Sequence, residues 1–276
     1  MTDTAIAHTG PEHRAAFRAA TFRDVLGSEW VKLRSVRSTF WALTVTVVLG
    51  VGLGAVISAA AAHGYAKFSV SARLSWDPTG VSQSGVAIAQ AAIAVLGVLC
   101  ISSEYSSGMI RSSLTAVPRR GRVLAAKSLV FAVVTFAVGE VTCFAAFFAG
   151  QALIAGHAPT AALGDPGVAR AVAGGGLYLI ALAVLSVAVG TVLRHPAAAI
   201  AAMVAVLFVL PGIAQALPDS WRNPVTEFWP TQAGSQLTSV YHAGHTLQPW
   251  PGFGVMCLFT AIVYAIAWTL LDRRDA

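Results

Sequence analysis

Charge is what this 276-residue chain has least of. Only 11% of its residues are Asp, Glu, Lys or Arg, where a soluble domain carries roughly 25%. So few charged groups cannot cover the surface of a soluble protein of this length, which excludes an ordinary soluble globular fold. Cysteine is scarce too: Cys100, Cys143 and Cys257 all fall in apolar runs, where they read as small packing residues and imply no disulfide framework. Catalytic signatures are missing. No GxxxxGK[ST] occurs, and indeed no Gly-Lys pair, so the chain has no phosphate-cradling loop of its own. Neither HExxH nor GxSxG is found. His242 and His245 share a spacing that suits one helical face, but no carboxylate or cysteine stands near to complete a metal site. The chain is therefore expected to be no enzyme and to hold no metal or cofactor.

What is present is apolar length. Hydrophobic residues make up 56% of the chain and the mean hydropathy is +0.70. Six runs can each cross a hydrocarbon core about 30 Å thick, which takes roughly 20 helical residues. They are Phe40–Ala62, Gly85–Ser103, Ser128–Ile154, Ala171–Leu193, Ala197–Leu217 and Gly252–Leu271. The runs are apolar on every face, without the alternation of a barrel strand, and lipid offers no partner for an open backbone. The expected fold is an all-α integral membrane protein with six transmembrane helices over residues 39–272.

Basic residues orient it. With both termini inside, fourteen of the eighteen Lys and Arg fall on inner segments, and only Lys67, Arg73, Arg170 and Arg222 on outer ones. That bias is the signature of cytoplasmic loops. It also explains the net charge of +6 without nucleic acid, which is not expected as a partner. Ala60–Ala62 resembles a signal-cleavage site, but a leader of almost forty residues before a run this long favours a retained span.

Between the runs, residues 1–20 lack apolar periodicity and read as a mobile cytoplasmic tail. Over 21–38, Phe22, Leu26, Trp30 and Leu33 recur at helical spacing, while Arg23, Asp24, Glu29, Lys32, Arg34 and Arg37 take other faces. This predicts an amphipathic helix lying in the inner interface, its cations toward anionic headgroups. The inner segment 104–127 is too short to be a domain. In it Ile110, Leu114 and Val117 share one face of a short helix that Pro118 ends. The outer segment 218–251 holds five prolines and five aromatics. It reads equally as an aromatic headgroup loop or, over Thr231–Val240, as a re-entrant half-helix. Gly50 and Gly54, and the run Gly174–Gly176, are expected to bring helices close. Glu140 is the one acid inside a run. The cost of a charge there predicts an interior-facing group, for a structural or gating hydrogen bond or for a proton relay.

Two stretches resemble a known family. Ser28-Glu29-Trp30-Val31-Lys32-Leu33-Arg34-Ser35 before the first run is similar to permease subunits of type-2 ABC exporters, particularly those of high-GC Gram-positive bacteria. So is Glu104-Tyr105-Ser106-Ser107-Gly108-Met109-Ile110-Arg111, followed by Leu114, Pro118, Arg122 and Lys127. The resemblance spans the whole chain in topology, and matches least well over the Pro-rich segment before the last run. It implies a multi-pass protein of the bacterial cytoplasmic membrane that exports an apolar or amphipathic compound. It also implies a second permease copy and a separate ABC-type ATPase that binds ATP and Mg. The family's coupling helix maps onto Tyr105–Val117. Glu104 stands at its start, Tyr105, Gly108, Ile110, Arg111, Leu114 and Pro118 lie along it, and Arg119, Arg120 and Arg122 follow on its far side. Glu29, Trp30, Lys32, Leu33 and Arg34 would pack beside it. Two other functions fit the same spans: a standalone secondary transporter coupled to protons through Glu140, and a non-transporting sensor or scaffold. An inverted repeat would favour the first, and none is evident.

Overall fold

The computed structural model describes residues 21–110, 120–241 and 246–273. Among these residues every regular element is a helix, and six are long and apolar enough to cross a membrane. The chain is a multi-pass helical membrane protein. Helix α1 (Phe22–Ser35) begins at Thr21, whose side chain accepts from the Asp24 N–H while Asp24 returns a bond to the Thr21 N–H. This reciprocal cap satisfies two of the free donors at a helix start. Val36, in extended conformation, separates α1 from α2 (Arg37–Gly64), the first span. Short helices α3 (Val70–Leu74) and α4 (Pro78–Ser82) then lead through a tight turn into α5 (Val86–Ser106). The third and fourth spans are α6 (Arg120–Ile154) and α7 (Val168–Leu193). The fifth is built from α8 (Pro196–Val204), a π-turn and α9 (Leu210–Ala214). Helices α10 (Asp219–Phe228) and α11 (Pro230–Ser235) precede the last span, α12 (Pro249–Arg273).

Helix α7 is the axis of the bundle. Two thirds of its most apolar stretch is buried, against 17% for the first span, so α7 is ringed by protein and α2 faces mostly outward. In lipid no hydrophobic force pulls spans together, and packing of small residues does that work instead. The glycines bear this out. A Cβ on Gly85 would stand 1.7 Å from the Gly50 carbonyl oxygen, and one on Gly54 would meet the Ser82 carbonyl oxygen at 2.6 Å. On α7, Gly174 and Gly175 lie as closely against Leu237 and Cys143. Two hydrogen bonds between polar groups join spans: Tyr178 donates to Gln90 at 2.6 Å, and Gln83 to the Cys143 carbonyl at 3.0 Å.

Several boundaries differ from the sequence reading. The second span extends back to Pro78 as helical turns, and the third begins at Arg120 instead of Ser128, two turns earlier. Among the described residues of the expected loop 104–127, most are therefore helix end, since Glu104 to Ser106 close α5 and Arg120 through Lys127 belong to α6. The fifth span stops at Ala214, and its π-turn has a traceable cause. Pro211 has no N–H to donate, and the Leu210 N–H bonds back five residues to Ala205. The Val206 carbonyl is thereby released, and accepts instead from Trp229 Nε1 at 2.9 Å and Thr231 Oγ1 at 3.5 Å. Those contacts draw the segment after α10 back into the bundle, where Thr231, Ala233, Gly234 and Leu237 are buried. Arg170 holds its end, donating to the carbonyls of Gln236, Leu237 and Ser239. Residues 230–235 form a short helix packed against the protein.

Candidate functional site

At the α1 end of the bundle, four charged side chains from three helices meet. Glu29 and Lys32 come from α1, Glu104 from the last turn of α5, and Lys127 from the third turn of α6. The Lys127 ammonium donates to Glu29 Oε2 at 2.5 Å and to Glu104 Oε1 at 2.8 Å. Lys32 donates to Glu29 Oε1 at 2.7 Å and to the same Glu104 Oε1 at 3.1 Å. Glu29, Glu104 and Lys127 are each at most 4% exposed, while a third of Lys32 reaches the surface. Two carboxylates and two ammoniums make the cluster neutral, the condition under which charges tolerate burial. One atom is left over: Glu104 Oε2 is buried with no hydrogen-bond partner among the described residues.

The apolar surroundings follow from the face that α1 turns inward. Val25 and Glu29, one helical turn apart, are its buried positions, and Leu26 and Leu33 pack partly against the core. Phe22 and Trp30 of the apolar stripe are 38% and 48% exposed, while Glu29, expected on a polar face, is inside. The reason is energetic: with Lys127 already in the protein, Glu29 finds a better partner inward than in water. A pocket of about 530 Å³ lies against the cluster, between α1, the start of α2, α5 and α6. Its walls are largely apolar, with Leu96, Leu99, Val130 and Phe131 among them.

Of the residues that the resemblance assigns to a coupling helix and its surroundings, those described take the following places. Glu104 is a buried member of the ion cluster, in the last turn of α5. Tyr105 belongs to α5, its ring 5.1 Å under the Arg194 guanidinium. Ile110, read as part of a docking face, is 3% exposed and sits in this chain's own core. Gly108 takes a left-handed φ of 71° just past α5 with open space around it, the usual role of glycine after a helix end. Arg120 donates to the Leu271 carbonyl at the end of α12, and Arg122 lies in the first turn of α6, half-buried. On α1, Trp30 and Arg34 face outward. Arg111, Leu114, Pro118 and Arg119, the 1–20 tail, and His242 and His245 lie outside the described residues.

Glu140 is partly exposed on α6, and its carboxyl packs over Gly176 of α7. It makes no hydrogen bond or ion pair among the described residues, so the expected hydrogen bond to another span of this chain is not formed. What sequence reasoning missed was the burial of Lys127 between Glu29 and Glu104, since it was read as an orienting cation and as the end of the family-like motif. Its signal was Glu104, the one acid of the inner segment 104–127, with Glu29 among the cations of the helix before the first span. No protein-family model matches the chain, and no curated protein matches its sequence.

Proposed function

We propose that the chain is the membrane-spanning permease subunit of an ABC-type exporter. A separate ATPase, holding the ATP and Mg, drives it from the α1 end, which faces the cytoplasm together with both termini. The observation that carries this reading is the buried ion cluster. It ties α1 to the ends of the second and third spans, at the residues Glu29, Lys32, Glu104 and Lys127 where the family resemblance puts the response to the ATPase. Pulling one member away would leave a buried charge unpaired, at a cost of roughly 3–5 kcal/mol. The helices α1, α5 and α6 therefore respond to a push as one body. The extended Val36 between α1 and α2 gives that body a place to turn relative to the first span. The surface left for the ATPase is Trp30, Arg34, Gly108 and Met109, all exposed, with Arg122 beside them. A second permease copy completes the transporter, and the spans suit an apolar or amphipathic cargo.

The test is to isolate the full chain with its associated subunits from native membranes and reconstitute them in liposomes. Nucleotide hydrolysis should depend on the chain, and Gly108→Pro or Arg34→Glu should uncouple it while leaving the cluster, and so membrane insertion, intact. Hydrolysis and transport unchanged in both variants would remove the reading. A second reading draws on Glu140, whose carboxyl has no hydrogen-bond or ion-pair partner among the described residues: a proton-coupled transporter with no ATPase. It requires transport that collapses with a protonophore, ignores vanadate and is lost in Glu140→Gln.

A further inference from the structure

At the end of the bundle away from the ion cluster, two histidines from distant parts of the chain lie ring against ring. His63 is in the last turn of α2 and His157 follows the end of α6. Their ring centroids are 4.6 Å apart and their planes are tilted by 35°. Both rings are held at the same atom: His63 Nδ1 stands 2.7 Å from the Ala59 carbonyl oxygen, and His157 Nδ1 3.3 Å from that of Ala155. A carbonyl can only accept, so Nδ1 carries the proton on each ring and Nε2 keeps its lone pair. An imidazole with Nδ1–H held by a carbonyl and Nε2 free is the form in which histidine ligates metal ions. Neither Nε2 has a hydrogen-bond partner among the described residues, and both side chains are exposed. The backbone builds this pairing. Gly156, at a left-handed φ of 81°, turns the chain as α6 ends, and the His157 N–H bonds back to the Ile154 carbonyl at 3.1 Å. Two residues on, the Pro159 carbonyl accepts from Trp76 Nε1 at 2.8 Å, which ties the turn to the segment between α3 and α4. Charged groups of the adjoining segments are engaged locally: Asp77 accepts from the Gly80 N–H, Asp165 from the Ala162 N–H, and the Arg73 guanidinium lies over the Tyr65 ring.

We propose that His63 and His157 together bind a divalent transition-metal ion of the class that favours imidazole, Zn2+ or Cu2+, each through Nε2. Zn–N bonds of about 2.0–2.1 Å place two nitrogens of one ion at most about 4.2 Å apart. Ring edges project beyond the centroids, so with centroids 4.6 Å apart a small turn of either exposed ring brings both nitrogens within that span. No group of three His, Cys, Asp or Glu ligands forms among the described residues. Water therefore fills the other coordination positions, and the ion is reversibly held, unlike one in a closed structural site. Once bound, it ties the end of the first span to the turn after the third. The proposal concerns binding alone and stands whether or not the chain is driven by an ATPase.

The test uses the full-length protein without a histidine tag, in phosphatidylcholine nanodiscs, with His242→Ala and His245→Ala introduced so that those histidines do not contribute. Calorimetric titration with zinc chloride should find a single site. Losing even an outer-shell partner of a metal ligand costs about 10–100-fold in affinity, so His63→Gln and His157→Gln should each weaken binding by at least about tenfold. The double variant should be little worse than either single one, because one ion needs both rings. Pulsed electron paramagnetic resonance of the Cu2+-loaded protein counts the ligands: two imidazoles in the parent protein and at most one in either single variant, a change that a general loss of structure does not mimic. His157→Cys offers a thiolate in place of the imidazole and should retain Zn2+ binding. No binding at millimolar Zn2+, affinity unchanged in both single variants, or a one-imidazole spectrum from the parent protein would overturn the assignment.

Discussion

Replacing Lys127 by Met removes the cluster's only fully buried cation and turns its balance from neutral to one net negative charge. Glu29 and Glu104, at most 4% exposed, would then share Lys32 alone, which is a third exposed and can turn to water. Removing one partner of a buried pair costs about 3–5 kcal/mol, and this ammonium serves two carboxylates. The intact cluster adds far less to stability than that, because burying all four charges already costs most of what their attraction returns. The double variant Lys127→Met with Glu104→Gln restores neutrality, pairing Glu29 with Lys32, and should recover more than half of the loss. Reversible unfolding in mixed micelles, followed by tryptophan fluorescence, reads both values. Lys32→Met should cost about 1 kcal/mol, as a part-exposed pair does. A Lys127→Met loss within about 1 kcal/mol of wild type, or a double variant worse than the single, would refute a dry, coupled cluster.

Gly85→Ala should destabilise by at least about 1–3 kcal/mol, because its Cβ would collide with the Gly50 backbone, whereas Gly52→Ala, with open space, should be neutral or slightly stabilising; thermal melting of the two variants side by side decides. Arg170→Ala frees three carbonyls that hold residues 236–239, and should raise hydrogen exchange there while leaving α5 and α6 unchanged. Glu140→Gln removes no partner, so its stability should stay within about 0.5 kcal/mol of wild type in the same micelle assay.

The spans were legible because a run of twenty apolar residues has few other uses, and Phe40–Ala62 and Gly252–Leu271 fall within two or three residues of the observed helices. The third span was misjudged at its start for an equally physical reason. Arg120, Arg122 and Lys127 read as water-facing, yet Arg120 caps α12 and Lys127 is neutralised by acids from distant chain positions. Glu29 and Lys127 are 98 residues apart, and no local pattern reports such a pairing. The same limit hid the place of Glu29. The helical period of α1 put it on a polar face, and that it turns inward depends on a lysine elsewhere in the chain. The π-turn shows the opposite case, since Pro211 within an apolar run announced a disturbed ladder but not where the freed carbonyl would bond.

In the proposed transporter the α1 end is the face that meets an ATPase. Cross-linking of the full-length protein in its native membranes, with the linked residues mapped by mass spectrometry, tests this most directly. The account predicts links from a nucleotide-hydrolysing subunit to residues 30–34 and 105–111, lost when Arg34 is replaced by Glu. Links confined to the opposite end, or native membranes in which hydrolysis proceeds unchanged without this chain, would contradict it.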